Sequence, residues 1–370
     1  MSDVVHVVCL EAPSPPSYGG AIDMYYKVRA LASIGKEIIL HYYSYHKNRN
    51  AGDLEQYCVE VNSYSRKRYI ESVSFFSPYI VRSRVNAGLI RRLNEDAHPI
   101  LLEGIHCTAI LPYINKERVV LRMHNNEATY YQSLAASEKH PLKRLYFSVE
   151  ARLLKKHQQG LAKDLTIASL SDQDLMALKN DYGFRNAHFI PCFTPWRTIN
   201  AQEGKGNYCL YHGNMAVSEN ESAAAWLTEE VFSRTNVPFV IAGSGISTRL
   251  ATKARKYKNC KLVFDPPPDE LNGLIRDAHI NILPSKNNTG VKLKLLHALF
   301  EGRFCITNDQ GVAGSHVHSG VYIANEPDEY IQLIQKLFEQ EFTADHIKER
   351  KSIQGIYDNH RNAQLLSALW

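Results

Sequence analysis

The densest run of chemically capable side chains is Pro284-Ser285-Lys286-Asn287-Asn288-Thr289-Gly290-Val291-Lys292-Leu293-Lys294-Leu295-Leu296-His297. Residues 280–283 read as an apolar strand that ends at Pro284. A polar loop follows, and the periodicity predicts a helix from near Gly290. Lys292 and Lys294 then fall in about its first turn, beside N–H groups that lack an intrahelical partner. Cations normally sit at the other end of a helix, where the dipole favours them. Two lysines here point to a bound polyanion, phosphate first. The plain alternative is two solvated surface lysines. A second group, Arg122-Met123-His124-Asn125-Asn126-Glu127, overlaps the end of the apolar stretch Val119–Met123. An imidazole there can hydrogen-bond a sugar hydroxyl or a phosphate and titrates near neutrality. Otherwise Asn126 caps a helix and His124 is a core histidine.

Three glycine-bearing loops follow apolar runs. Pro13–Gly20 ends in Gly19-Gly20 directly before a helical stretch, so the backbone can approach an anion closely, or simply makes a tight turn. Tyr211-His212-Gly213-Asn214 ends another run. Ile241-Ala242-Gly243-Ser244-Gly245 ends a third, but Thr248 holds the third glycine position of a dinucleotide fingerprint, which makes that reading weak. Asp172-Gln173-Asp174 has the spacing of a metal-binding carboxylate pair. Ser171 and Asp174 instead form a capping box ahead of an apolar-periodic stretch. Residues 65–92 carry seven basic residues, Arg66, Lys67, Arg68, Arg82, Arg84, Arg91 and Arg92, against Glu71 alone, with Tyr69, Phe75, Phe76 and Tyr79 interleaved. Basic and aromatic residues together suit an anionic membrane surface, a lipid phosphate or stacked single-stranded nucleic acid; the alternative is a solvated basic helix face.

The elements that must position these groups alternate along the chain. Strands are expected over residues 4–10, 38–43, 100–103, 119–123 and 165–169, with helices between, including one over 79–93. After a Pro/Gly-bearing linker at 190–206, further strands are expected at 208–212, 238–242, 261–264, 280–283, 304–307 and 321–323. This predicts two doubly wound α/β domains, residues 1–193 and 205–350, facing a cleft, and a helical tail over 351–370. The chain has 370 residues, 44% hydrophobic and 22% charged, which excludes a disordered chain. Its net charge of +5 is too weak to indicate nucleic acid. Seven cysteines without metal spacing read as reduced thiols of a cytoplasmic protein. No apolar run spans a bilayer, and the N-terminus lacks the basic region of a signal peptide.

In order along nearly the whole chain, Gly19-Gly20, the R-x-H-N-x-E element (Arg122, His124, Asn125, Glu127), the S-x-x-D helix start, the Gly-Ser-Gly loop and the G-x-K-x-K-L-L block resemble GT-B fold glycosyltransferases. The likeness is strongest to family 4 of the retaining enzymes, which build bacterial surface glycans. The resemblance implies a nucleotide-diphosphate sugar, UDP- or GDP-linked, on the second domain. It implies a glycan or lipid-linked acceptor on the first, no essential metal, no nucleic-acid partner, and a C-terminal helix that crosses back to the first domain. Carried over by position, His124 is the catalytic group at the transferred sugar, and Gly19 and Gly20 approach the donor phosphates. Gly213, Asn214 and Gly243 admit the nucleotide, while Phe264, Asp265 and Pro266 flank its base. Asn288, Thr289, Gly290, Lys292, Lys294 and His297 hold the diphosphate and ribose. Arg82, Arg84, Arg91, Arg92 and Glu127 face the acceptor, with the basic residues placing the protein peripherally on an anionic membrane. The chain departs from the family pattern where two glutamates flank seven residues: here stand Thr289 and His297. His297 retains a hydrogen bond for a ribose, but Thr289 supplies no carboxylate. A catalytically silent scaffold and a sugar-nucleotide epimerase are the alternatives on this architecture.

Overall fold

The computed structural model describes residues 3–44, 48–68, 74, 76–138 and 140–370. The chain forms two α/β units. Unit 1 comprises Met1–Ala135, Pro141–Arg197 and Tyr357–Trp370; unit 2 comprises Ala136–His140 and Thr198–Ile356. Unit 1 carries β1 (Val4–Cys9), β2 (Glu37–Ser44), β3 (Cys58–Ser65), β4 (Ile100–Glu103), β5 (Val119–Met123), β6 (Thr166–Ser169) and β7 (Ala187–Phe189). They lie in the order β3-β2-β1-β4-β5-β6-β7, all parallel. Unit 2 carries β8 (Cys209–His212), β9 (Phe239–Gly243), β10 (Cys260–Phe264), β11 (Ile280–Ile282), β12 (Phe304–Thr307) and β13 (Tyr322–Ile323), in the order β10-β9-β8-β11-β12-β13.

Both sheets are doubly wound, as the sequence predicts. Strand order reverses between β1 and β4 and again between β8 and β11. Loops leaving these switch points diverge to opposite faces and leave a crevice for ligands. A sheet covered on both faces needs apolar residues on both. In unit 1, Val8, Leu102, Leu121 and Ile167 serve one core, while Val7, Leu101, Val120 and Ala168 serve the other. The helices used below are α1 (Gly19–Ser33), α2 (Ala87–Leu93), α3 (Glu127–Ser137), α4 (Pro141–Gly160), α5 (Ser218–Trp226), α6 (Leu293–Glu301) and α7 (Asn359–Ser367).

The sequence pattern does not anticipate strands β3 and β7, and both are sheet edges. β3 reads CVEVNSYS, half polar, because an edge strand needs no continuous apolar face. β7 is three residues long. The helix expected over 79–93 is broken into Tyr79–Arg82 and α2, where Asn86 caps the second piece by accepting from the N–H groups of Gly88 and Leu89. The expected linker is ordered at both ends. Thr194 exchanges hydrogen bonds with Asn359 in unit 1, and Gly204 pairs with Phe342 in unit 2. The tail divides later than residue 351. Arg350, fully buried, donates to the carbonyls of Leu299, Gly302 and Arg303, which keeps Lys351–Ile356 with unit 2. α7 joins unit 1, where Ala363 and Leu366 share a core with Met24 and Val28 of α1. No described helix is long and apolar enough to cross a membrane.

Candidate functional site

In unit 2 the polar groups gather at the carboxyl ends of β8 and β11. α6 begins at Leu293, not near Gly290, and Lys292 is its N-cap residue. The expected placement of Lys292 within the first turn is therefore corrected. Its backbone is still extended, and its ammonium folds onto the preceding loop, donating to Asn287 Oδ1 at 2.7 Å and to the Thr289 carbonyl at 2.5 Å. Gly290 turns that loop at φ +63°, a conformation that disfavours other residues. Asn288 is exposed, whereas Thr289 is buried and bonded to Asn287. Lys294 lies in the first turn. Its ammonium donates to Tyr211 Oη at 3.2 Å and Asn220 Oδ1 at 3.1 Å, and sits 4.7 Å from the centre of the Tyr211 ring. Burial, together with the Lys292 charge, pulls its pKa down to about 8 against the opposing pull of Glu219.

Glu219, in the first turn of α5, is the residue that sequence reasoning missed. Its carboxylate accepts from Ser285 Oγ at 2.7 Å, the Lys286 N–H at 3.0 Å and Asn287 Nδ2 at 2.5 Å. Burial works against its charge, but these bonds hold it below the usual carboxylate range. An acid in a first helical turn reads as a dipole complement, so the sequence carries no distinct signal for this role. Glu219 braces the loop, Asn287 carries the brace to Lys292, and Asn220 holds Lys294. Asn220 also donates to the carbonyl of Asn214, whose side chain turns back to the Ala216 N–H.

Gly243 is required by packing: a Cβ there would lie 1.8 Å from the Gly213 carbonyl oxygen. Asp265 adopts φ +46°, rare for a residue with a side chain, with its N–H bonded to the Gly243 carbonyl. Phe264 and Asp265 are exposed beside it, and Pro266 is half-buried. His297 meets the His212 ring edge-on at 6.1 Å. Burial pulls it down to about 4, so it is neutral at pH 7.

In unit 1, His124 follows β5 and joins a buried ionic cluster. Its Nε2 lies 2.7 Å from Glu103 Oε2, at the end of β4. The Lys27 ammonium of α1 lies 2.6 Å from Asp23 and 2.8 Å from Glu103. Arg122 reaches Asp23 at 3.3 Å and donates to the carbonyls of Ile190 and Pro191, tying β5 to the segment after β7. Asp23, Glu103 and His124 bring one ligand atom each within 4.8 Å of one another, and the Lys27 ammonium occupies both carboxylates. Asp23 and Lys27 are charged residues four apart on the apolar face of α1, a signal the sequence does offer. Gly20 sits against His124: a Cβ there would lie 3.6 Å from Nδ1. Gly19 is exposed beside it.

Glu127 opens α3 and is buried, with Asn125 Nδ2 donating to it at 3.2 Å. Burial pushes its carboxyl up to about 7. A raised carboxyl binds more protons folded than unfolded between about pH 4.3 and 7, so stability falls as pH rises through that window. Glu127→Gln removes this penalty. The difference in melting temperature from wild type is therefore expected to shift in the variant's favour from pH 5 to pH 8, read by calorimetry.

The expected basic acceptor patch does not form as a unit. Arg84 is buried, 2% exposed, and donates to the carbonyls of Leu10 and Ile80. Arg92 is bound by Glu60 at 2.6 Å and Asp96 at 2.8 Å. Arg82 and Arg91 are exposed. Tyr69, Glu71 and Phe75 lie outside the described residues. Ser171 caps its helix, accepting from the Asp174 N–H at 3.2 Å, which agrees with the capping reading.

Residues 206–340 match the family model described as Glycosyl transferases group 1. An uncharacterized 44.6 kDa protein in the cps region of Klebsiella pneumoniae is 25% identical over 343 residues, 88% of each chain. Among solved structures, sucrose-phosphate synthase from Thermosynechococcus elongatus superposes with a TM-score of 0.65 at 12% identity, over 99% of this chain and 96% of that one. Anabaena HepE in complex with UDP and glucose gives 0.64 at 10% identity, over 100% and 99%. These two likenesses concern the fold.

Proposed function

We propose that the protein moves a sugar from a UDP- or GDP-linked donor to a glycan or lipid-linked acceptor, a reading supported by the match of residues 206–340 to the Glycosyl transferases group 1 model and by the GT-B fold of the chain. The observation that carries this reading is the lysine pair, Lys292 and Lys294, held at the end of β11 by Asn287, Glu219 and Asn220. Breaking the glycosidic bond leaves its electron pair on the nucleoside diphosphate, and stabilising that charge is the main catalytic task. Two preset ammonium groups beside the N-terminus of α6 do so without a divalent ion. Gly213, Gly243 and the Phe264–Pro266 turn receive the nucleotide, and His297 bonds its ribose.

In unit 1, Glu103 fixes the tautomer of His124. Nε2–H donates to the carboxylate, which leaves Nδ1, on the Gly20 side, for a hydroxyl of the transferred sugar. Transfer proceeds with retention, the acceptor hydroxyl approaching from the leaving-group face. The cps-region relative fits an acceptor that is a growing surface polysaccharide.

A thermal-shift screen against UDP-, GDP-, ADP- and CMP-sugars tests the reading. A true donor is expected to stabilise the protein by about 2.7 kcal/mol at a hundredfold excess over its dissociation constant. No shift with any of them favours the silent scaffold.

A further inference from the structure

Three of the large apolar side chains exposed on the described chain fall on one helix: Leu142 at 71%, Leu145 at 61% and Val149, all on α4. At about 100° per residue they share a sector of roughly 80° with Arg152 and Lys156. That sector lies opposite the buried stripe Glu150, Ala151, Leu154 and Gln158. The helix is thus apolar at the centre of its outward face, the reverse of what a helix covering a soluble core requires. Arg152 and Lys156 lie within this sector and Lys155 about 60° beyond its edge; all three are exposed, and among the described residues none of them forms an ion pair. The one acid on α4, Glu150, is turned inward and accepts from the Tyr79 N–H at 2.9 Å. Phe76, 83% exposed, lines a cavity of about 580 Å³ with Lys156 and His157 beside the last turns of the helix.

We propose that the outward face of α4 docks on an anionic lipid bilayer, with Leu142, Leu145 and Val149 entering the headgroup boundary and Arg152, Lys155 and Lys156 meeting lipid phosphates. The charge decides the occupant: an apolar stripe that carries cations and no acid fits an anionic surface and repels a second copy of itself. The placement replaces the Arg82–Arg92 segment as the membrane-facing surface. It stands independently of the donor reading, because docking is measured without turnover.

The test is flotation of the full chain with vesicles of phosphatidylglycerol and phosphatidylcholine. Wild type is expected to float with anionic vesicles at low salt, and to stay down with pure phosphatidylcholine or at high salt. Each cation near such a surface is worth about a fivefold change in partitioning. Lys155→Glu with Lys156→Glu should therefore cut binding more than tenfold, and Leu142→Ser with Leu145→Ser comparably. Arg82→Glu with Arg91→Glu should do little. The substituted side chains are exposed, and an unchanged melting temperature confirms the fold. The proposal is overturned if wild type does not float, if the α4 variants float as well as wild type, or if Leu142→Ser with Leu145→Ser converts a dimer to a monomer.

Discussion

Lys294→Ala is expected to lower kcat/KM for the donor by about 10²–10³, the usual cost of removing one preset donor to a developing negative charge. The loss should appear in both donor affinity and turnover, since the leaving diphosphate carries more charge in the transition state than in the ground state. Lys294 is suited to this task because it is held before any ligand arrives. Tyr211 and Asn220 fix its ammonium, and neither is a carboxylate that would neutralise it. The pH profile supplies a second readout. Its pKa of about 8 means the free protein carries the full charge only below that pH. A bound diphosphate raises the pKa, so donor affinity should be flat below pH 8 and fall up to tenfold per unit above it. In the alanine variant that alkaline limb should disappear. Titration calorimetry from pH 6.5 to 9.5 measures both. An alanine variant with wild-type affinity and turnover removes Lys294 from the donor site.

Such a residue is visible in the sequence because it breaks a local rule. Lysines at a helix start defy the dipole, and only a function or a partner offsets that. His124 is legible for a related reason, as a titratable group placed by strand periodicity at a carboxyl end. The supporting residues are not. Glu219 obeys the local rule for a first-turn acid, and its role exists only because β8 and β11 are neighbours in the sheet. Glu103 ends an apolar strand and looks ordinary until β1, β4 and β5 place it between Lys27 and His124. The basic segment misleads in the opposite way. Its arginines are close in sequence, but the broken helix sends Arg84 inward to satisfy carbonyls and gives Arg92 to two acids. By its pattern α4 is one more helix between strands. Only exposure shows that Leu142 and Leu145 face out.

Lys27→Met is expected to cost about 3–5 kcal/mol of unfolding free energy at pH 7, the penalty for leaving buried charge without its partner. Methionine keeps much of the side-chain volume, so packing is a minor part of the loss. Asp23 retains Arg122 and the Phe193 N–H, whereas among the described residues the Glu103 carboxylate retains His124. The pH dependence identifies the cause. In the wild type, burial raises both carboxyls, but Lys27 and its cationic neighbours overcome this and hold them below their usual range. Their contribution is therefore present above about pH 4 and is lost as pH falls through the folded values. Without Lys27 the Glu103 carboxyl rises toward neutrality. The gap between variant and wild type should then be widest near pH 8 and narrow toward pH 5, as Glu103 takes up a proton. Lys27→Met with Glu103→Gln should recover most of the lost stability, since the neutral amide leaves no unpaired carboxylate at the end of β4. If Glu103 also orients His124, the recovered protein will be stable yet slow, with donor affinity nearly unchanged, because Lys292 and Lys294 are untouched. Urea titrations at pH 5 and 8 and steady-state kinetics of the double variant separate these effects. A pH-independent loss below about 1 kcal/mol in Lys27→Met would show that the cluster is not a buried ion network.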